Sequence, residues 1–438
     1  MTITSELWRE RDAAAVWHPF TQHAAWIEDK PAVIERAEGP WLFDVDGVRY
    51  LDGISSLWTT TVGHRTPEID AAITAQLGKL DHSTFLGATH QPGIELAEEL
   101  LTTAPGMSKV FYAGDGSSAV EAALKMAYQS ALQRGQTRPL FVHLTEAYHG
   151  DTLGSVSVGG IELFHDKYRP ILLDTLSTGS PGMRRPDQSP AERALEAGAE
   201  LEKLMAEHGE RVCAIIVEPM VQGAAGILTY DAAYLRTARR VADAYGALLI
   251  CDEVATGVGR TGKMWAIEHA GITPDLLVCG KGLTAGYLPL SAVLATEEVY
   301  EAFLGAPAQV RTFFHGHTFT ANPLCCAAAI ANLRMMKERA VVDQAAELGE
   351  RLAAGLISVA KHPGVKEVRQ LGTMIGVQVE PRGDRTGFEV CRAAMNKGVW
   401  LRPLGDVVVV MPPLTLAPPE TDLLLGALET ALDEVLSV

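Results

Sequence analysis

The sequence is poor in the features that mark membrane proteins and metal-binding proteins. Its six cysteines show no CxxC spacing, so they form no recognisable zinc motif. No apolar run reaches the length of a membrane span, and the N-terminus lacks the apolar core of a signal peptide. We therefore expect a cytoplasmic protein without a membrane or metal partner, whose cysteines are small buried hydrophobes in a reducing compartment.

Positive charge is also in deficit. Lysine and arginine number 37 against 54 acidic residues, which gives a formal net charge of −17. This balance argues against nucleic acid or an anionic membrane as a partner. It leaves open a single phosphate group held locally by backbone amides.

A regular alternation of strands and helices runs from about residue 61 to 335. The apolar patterns predict strands and helices at 110–113, 118–132, 140–144, 191–208, 214–217, 231–245, 247–251 and 276–279. Such alternation predicts an α/β domain with a mostly parallel central sheet and right-handed crossovers.

The two ends of the chain follow a different pattern. Residues 336–438 predict a smaller α+β domain, with elements at 342–359, 365–369, 374–379, 388–397, 407–411 and 420–436. Residues 1–60 predict a helix and short strands, and Asp46-Gly47 between two alternating runs is a hairpin signal. We expect the N-terminal segment to join the small domain.

One lysine follows the last predicted strand of the large domain. Lys281 lies between Gly280 and Gly282, directly after the apolar run Leu276–Cys279. Burial there disfavours the charged ammonium, and a neutral amine can form a Schiff base with a carbonyl. Taken alone, the pattern fits a surface lysine after a strand better.

A carboxylate at the end of the neighbouring strand changes that balance. Asp252 follows the apolar run 247–251, at the strand end where ligands bind in open α/β sheets. A lysine for the aldehyde and a carboxylate for the pyridinium nitrogen are what pyridoxal phosphate requires. Lys281 and Asp252 together therefore indicate a site for this cofactor.

Two other stretches supply groups that such a cofactor would need. The glycines and serines of 114–118 stand at a predicted helix start, where free amides can bind a phosphate, although a simple helix cap fits equally well. Tyr148 follows a strand and could stack on a flat ring or fill the core. His315 and His317 have no third ligand nearby, so a metal site is not predicted.

The stretch that contains Asp252 and Lys281 resembles a known family. Residues 251–295 are similar to the signature of class III, fold-type I aminotransferases, and the likeness covers nearly the whole chain. Within that class, the segments WHPFTQ, AYHGDT and HGHTFTANPL resemble the 7,8-diaminopelargonate synthases of biotin synthesis. The resemblance implies a fold-type I homodimer with pyridoxal phosphate in active sites at the subunit interface.

The resemblance also implies roles around the cofactor. Lys281 would be the Schiff-base lysine and would move the proton during transamination. Asp252 would keep the pyridinium nitrogen protonated, while Val254 and Tyr148 would flank the ring. Phosphate contacts are implied for Gly116 and Ser117 and, from the neighbouring subunit, for His317 and Thr318. His317 departs from the family pattern, because many members have proline there.

Substrate contacts follow from the same resemblance. Arg402 would pair with the carboxylate of the keto substrate, since guanidinium suits that geometry. Gly316 would line the substrate tunnel, and Phe20, Leu57 and Trp58 would hold the donor and the keto acid. Phe20 and Leu57 replace the family's common tyrosine and tryptophan, and they resemble a branch that uses lysine as donor.

Three functions stay open at this point. The first is transfer of an amino group from S-adenosylmethionine or lysine to 8-amino-7-oxononanoate, which gives 7,8-diaminononanoate. The second is another class III ω-amino acid or diamine:pyruvate aminotransferase. The third is a non-enzymatic scaffold, which would predict loss of Lys281 or Asp252, whereas both are present.

Overall fold

The computed structural model describes residues 4–437. Its strands are β1 (Ile34–Glu38), β2 (Trp41–Asp44), β3 (Arg49–Asp52), β4 (Lys109–Ala113), β5 (Leu140–Leu144), β6 (Leu176–Thr178), β7 (Val212–Val217), β8 (Val221–Gln222), β9 (Leu228–Thr229), β10 (Leu248–Asp252), β11 (Leu276–Cys279), β12 (Ser291–Ala295), β13 (Val365–Leu371), β14 (Met374–Val379), β15 (Val399–Trp400), β16 (Arg402–Leu404) and β17 (Val407–Val410). Its helices are α1 (Ser5–Ala15), α2 (His23–Asp29), α3 (Ser55–Trp58), α4 (Pro67–Leu77), α5 (Gln91–Thr103), α6 (Gly116–Gln133), α7 (Leu153–Ser157), α8 (Glu162–His165), α9 (Pro190–His208), α10 (Ala232–Tyr245), α11 (Glu297–Glu301), α12 (Pro323–Glu338), α13 (Val341–Val359), α14 (Thr386–Asn396) and α15 (Pro418–Leu436).

A seven-stranded sheet forms the centre of the molecule, in the order β4-β12-β11-β10-β7-β5-β6. Strand β10 is parallel to β7 and β11, and β5 is parallel to β6 and β7. This confirms the predicted α/β class and the mostly parallel sheet. Strand β12 is the exception, because it lies antiparallel between β4 and β11. Apolar periodicity carries no information about strand direction, so the sequence did not reveal that β12 runs antiparallel.

Both faces of this sheet are covered by helices. Ile250 and Val278 pack with the alanine-rich side of α6, whereas Leu249 and Leu277 pack on the opposite face with α9 and α10. All residues of β10 and β11 are buried, as the continuous apolar runs predict for a doubly covered strand. The polar residues at the strand ends therefore come to lie at the edge of a rigid core.

The smaller part of the molecule combines both ends of the chain. Strands β13, β14, β17 and β16 form an antiparallel sheet, and α13, α14 and α15 pack with it in a second core. The hairpin signal at Asp46-Gly47 is confirmed, because β2 and β3 pair antiparallel around it. Strand β15 pairs in parallel with β3, which joins the N-terminal strands to the C-terminal part. The boundaries at residues 60 and 335 stay predictions.

The six cysteines are buried and unpaired. Among residues 4–437, none of the helices combines the length and the apolarity that crossing a membrane would require.

Candidate active site

A cavity of about 390 Å³ opens where β10 and β11 end. The residues in its wall that the sequence singled out are Trp58, Gly116, Ser117, Tyr148, Asp252, Val254 and Lys281. Six other predicted site residues are absent from this wall: Phe20, Leu57, Gly316, His317, Thr318 and Arg402. One chain therefore brings together the groups predicted for the cofactor, but not all of those predicted for substrate and phosphate.

Lys281 enters this cavity from the turn after β11. The pairing of Asp252 with Val278 aligns the two strands, so that Lys281 and Asp252 come to the same edge of the sheet. Its backbone has a φ of 43°, which is unfavourable for a side chain larger than glycine and typical of functional sites. Burial lowers the pKa of the Lys281 ammonium, although Asp252 and Glu218 act in the opposite direction. The free amine is therefore more accessible than in an ordinary lysine.

Asp252 is held in place from behind by a histidine. His149 Nδ1 lies 2.8 Å from Asp252 Oδ2, and both side chains are buried. The other carboxylate oxygen, Oδ1, accepts a hydrogen bond from the Val254 amide at 3.0 Å. The Nε2 atom of His149 has no hydrogen-bond partner among the described residues. The carboxylate thus has one fixed orientation at the base of the cavity.

The start of α6 provides free backbone amides at the opposite end of the cavity. The cap residue Asp115 accepts the Ser118 amide at 2.9 Å, which leaves the amides of Gly116 and Ser117 without an intrahelical partner. A Cβ at position 116 would lie 2.8 Å from Val254 Cγ1. Glycine is therefore required there, and the helix start can approach an anion closely.

The Tyr148 ring forms a side wall that two carboxylates fix. Its hydroxyl donates to Asp151 Oδ2 at 2.8 Å, and its backbone amide donates to Glu218 Oε2 at 3.1 Å. Glu218 also accepts the Gly223 amide at 2.9 Å, so it joins two loops of the wall. Burial raises the pKa of Glu218 to about 7.

Trp58 forms the wall nearest to the lysine. Lys281 Nζ lies 5.2 Å from the centre of the Trp58 ring, within cation–π distance. Trp58 itself has a φ of 64°, and its indole Nε1 is buried without a hydrogen-bond partner among residues 4–437.

Phe20 and Leu57 lie further out. The Phe20 ring contacts Phe164 at 5.4 Å between centres, and Phe164 in turn contacts Tyr148 at 6.2 Å. Leu57 is exposed, although it directly precedes Trp58. These contacts connect Phe20 to Tyr148 in the cavity wall, and the role of Phe20 and Leu57 in substrate binding stays a prediction.

Arg402 stands at the start of β16, half-buried and facing Tyr148. Burial lowers the pKa of its guanidinium, whereas Cys391 and Tyr148 act to raise it. Among residues 4–437, no carboxylate forms an ion pair with Arg402. A half-buried cation without an ion-pair partner is partly desolvated, and a substrate carboxylate would compensate for that cost.

Gly316, His317 and Thr318 lie together on an exposed segment before α12. The His317 amide donates to Thr320 Oγ1 at 3.0 Å, and the His317 ring stacks edge-on against His315. These residues are outside the cavity of their own chain. The described residues contain no group of three or more His, Cys, Asp or Glu that could hold a metal ion.

Sequence reasoning gave no role to two residues that organise the site. His149 stands beside Tyr148 in AYHGDT, and Glu218 follows a predicted strand at the same sheet edge. The sequence did not show that His149 contacts Asp252, 103 residues away, or that Glu218 contacts Tyr148, 70 residues away. Taken together, the site offers an amine with a lowered pKa, a fixed carboxylate, a helix start with free backbone amides and a flat aromatic wall.

Comparison with known proteins places this geometry in a family. The pattern described as aminotransferase class-III matches residues 23–432. The chain is 45% identical to the adenosylmethionine-8-amino-7-oxononanoate aminotransferase of Nitratidesulfovibrio vulgaris, over 97% of this chain and 81% of that protein. It superposes with a TM-score of 0.94 on the crystal structure of the enzyme of the same name from Methanocaldococcus jannaschii, at 37% identity over 99% and 100% of the two chains. It also superposes, with a TM-score of 0.94 and 31% identity over 100% of both chains, on an (S)-enantioselective ω-transaminase from Thermomicrobium roseum.

The match with the family spans almost the full chain, and the cavity contains the lysine and the aspartate that aminotransfer requires. This protein therefore belongs to the class III aminotransferases.

Proposed function

We propose that this protein transfers an amino group to 8-amino-7-oxononanoate and forms 7,8-diaminononanoate, a step of biotin biosynthesis, with pyridoxal phosphate as cofactor. The observation that carries aminotransfer is the meeting of Lys281 with the Asp252–His149 pair in one cavity. The substrate is inferred from the names of relatives that are 35–45% identical over nearly the whole chain.

The residues present fit pyridoxal phosphate. The free amides at the start of α6 suit its phosphate, and Asp252 suits a protonated ring nitrogen. Val254 and Tyr148 lie in the wall between these two ends and could cover the faces of a flat ring. When bound, this cofactor supplies an electron-withdrawing ring that stabilises negative charge on the substrate carbon.

The chain's own residues then bind, orient and move protons. Lys281 can take a proton from the substrate and return it, because its ammonium has a lowered pKa. Asp252, oriented by His149, would stabilise positive charge at the ring nitrogen of the bound cofactor. Arg402 is the candidate partner of the keto acid's carboxylate, which would replace water around a half-buried guanidinium. Trp58 lies in the cavity wall beside Lys281, where its ring would contact the substrate.

We further propose that the enzyme is a cytoplasmic homodimer in which each site is shared. His317 and Thr318 are exposed and lie outside their own cavity, which supports a contact with the phosphate bound by a second chain. Gly316, beside them, would then line that neighbour's substrate tunnel. A Cβ at Gly316 would meet no atom of its own chain within 4 Å, so the segment has room for a partner.

Adenosylmethionine is the donor that the names of the relatives give, and lysine is the second candidate. Phe20 lacks the hydroxyl of tyrosine and so removes one hydrogen bond, a net loss of about 0.5–1.5 kcal/mol. Leu57 lacks an indole, which removes cation–π stabilisation of a sulfonium worth about 0.5–2 kcal/mol. Both losses weaken the binding of adenosylmethionine, so lysine stays the second candidate donor.

A half-reaction with the purified enzyme separates the donors. Loss of the visible absorbance of bound pyridoxal phosphate is followed after mixing with adenosylmethionine or lysine, and the aminated enzyme is then mixed with 8-amino-7-oxononanoate or pyruvate. We expect return of the absorbance with the oxononanoate. The ω-transaminase alternative, favoured by the Thermomicrobium roseum structure, requires return with pyruvate alone. The Lys281→Ala variant is the control and should show neither step.

A further inference from the structure

Three long polar side chains on one face of α6 hold the segment that contains Gly316. Lys125, Gln129 and Gln133 are spaced four residues apart, so they lie in a row along the helix. Lys125 Nζ donates to Phe314 O at 3.2 Å, Gln129 Nε2 to Thr312 O at 2.9 Å, and Gln133 Nε2 to Arg311 O at 3.2 Å. We name this row the α6 row.

The segment 311–316 has little other hydrogen bonding. It has no regular secondary structure, and within the described residues its one backbone–backbone hydrogen bond joins His315 N to Phe313 O at 2.9 Å. Backbone carbonyls need hydrogen-bond donors. Here the α6 row, about 180 residues away in sequence, supplies them. The path of the segment is thus set by the helix rather than by its own backbone.

Lys125 of the α6 row also determines which ring nitrogen of His315 carries the proton. Lys125 Nζ lies 3.0 Å from His315 Nδ1, so the histidine accepts at that atom and carries its proton on Nε2. Burial and the nearby Lys125 charge lower the pKa of His315, which favours this neutral form. The Nε2 donor is buried without a partner among residues 4–437. Phe313 adds apolar support, because its ring contacts Phe111 at 5.4 Å.

We propose that Lys125, Gln129 and Gln133 are positioning residues for the cofactor phosphate of the neighbouring subunit. They hold residues 311–316 so that His317 and Thr318 project from the surface towards the partner subunit. The inference rests on the proposed function, since it requires the shared site of a homodimer.

This arrangement gives α6 two tasks. Its first turn, at Gly116 and Ser117, faces the cavity of its own chain. Its later turns bind the segment 311–316, which precedes the residues proposed to contact the phosphate of the other chain. A single rigid helix of 18 residues would therefore link the two phosphate contacts of the dimer.

The test uses two variants that keep side-chain size. Lys125→Met removes the ammonium, and Gln129→Glu replaces the amide donor by a carboxylate that repels Thr312 O. We expect pyridoxal phosphate to dissociate about tenfold faster for each lost hydrogen bond, followed as loss of visible absorbance during gel filtration of the holoenzyme. At saturating pyridoxal phosphate, turnover should fall by a smaller factor than the rate of cofactor loss rises, because excess cofactor refills the site.

Hydrogen–deuterium exchange of the holoenzyme gives a second readout. The amides of His315 and His317, which donate hydrogen bonds to Phe313 O and Thr320 Oγ1, should exchange faster in both variants. In Lys125→Arg, which keeps a donor, exchange and cofactor loss should both stay slow. Lys203→Met on the exposed face of α9 is the matched control and should behave like the wild type.

Two results would overturn the inference. The first is unchanged cofactor dissociation in both variants. The second is faster exchange without faster dissociation, because the segment would then be loosened without any effect on the phosphate. A failure to aminate 8-amino-7-oxononanoate would reject the proposed substrate instead, since cofactor dissociation is measured without it.

Discussion

His149 and Asp252 form a buried hydrogen-bonded pair at the base of the cavity, with 2.8 Å between Nδ1 and Oδ2. His149 lies in the loop after β5, whereas Asp252 is the last residue of β10, 103 residues further along the chain. Because the Val254 amide occupies the other carboxylate oxygen, Asp252 cannot rotate away from the cavity. His149 is thus a positioning residue that acts through the aspartate.

Removing that hydrogen bond should slow turnover. In His149→Leu, we expect kcat to fall about 10- to 100-fold, the effect of losing one hydrogen bond to a charged group. His149→Gln keeps a donor and should recover part of the loss. The KM for the keto acid should stay near the wild-type value, since Arg402 lies elsewhere. Equal kcat for the leucine variant and the wild type would show that Asp252 needs no support from His149.

Arg402 should govern binding of the acceptor rather than the chemistry. Arg402→Met leaves the hydrocarbon stem and removes the cation, so the KM for a keto acid should rise about 10- to 100-fold. The methyl ester of the same substrate carries no carboxylate, so its KM should be nearly the same in Arg402→Met and in the wild type. Arg236→Met, an exposed arginine on α10, is the matched control. If acid and ester respond alike, Arg402 does not bind the carboxylate.

Mixed dimers test the shared site. Lys281→Ala and Thr318→Ala chains are each expected to be impaired. After subunit exchange, one site of each mixed dimer would combine Lys281 from one chain with Thr318 from the other, and activity should return. Verified exchange without recovery would mean that Thr318 acts in its own chain or not at all.

Glu253 should make stability depend on pH. It is fully buried, accepts the Ile267 amide and the Thr256 hydroxyl, and burial raises its pKa to about 7. Because the folded state holds this proton more tightly than the unfolded state, the stabilisation is complete below about pH 4.5 and is lost as the pH rises through about 7.

Glu253→Gln removes that titration. Urea midpoints of the variant should fall less steeply than those of the wild type across this pH window, and a remaining slope is expected from Glu218. The exposed Glu210→Gln is the control. An unchanged slope in the Glu253 variant would show that this carboxyl does not titrate on unfolding in this range.

Much of the fold was predictable because burial on both faces leaves a local pattern. Each strand and helix predicted for residues 110–279 is present with ends within two residues of the structure. The glycines and serines of 114–118 marked a helix start in the sequence, but the need for glycine at 116 came from the structure, where a Cβ would lie 2.8 Å from Val254 Cγ1. Lys281 and Asp252 could be paired from sequence because adjacent parallel strands end at the same edge.

Partners across long sequence separations could not be predicted in the same way. The sequence by itself determined the strand ends, and with them the positions of the lysine, the aspartate and the start of α6. Only the tertiary structure decided that β12 runs antiparallel between β4 and β11, that His149 orients Asp252, and that α6 holds the segment before Gly316. The physical reason is that periodicity records which residues are buried, whereas strand direction and hydrogen-bond partners depend on how distant parts of the chain pack together.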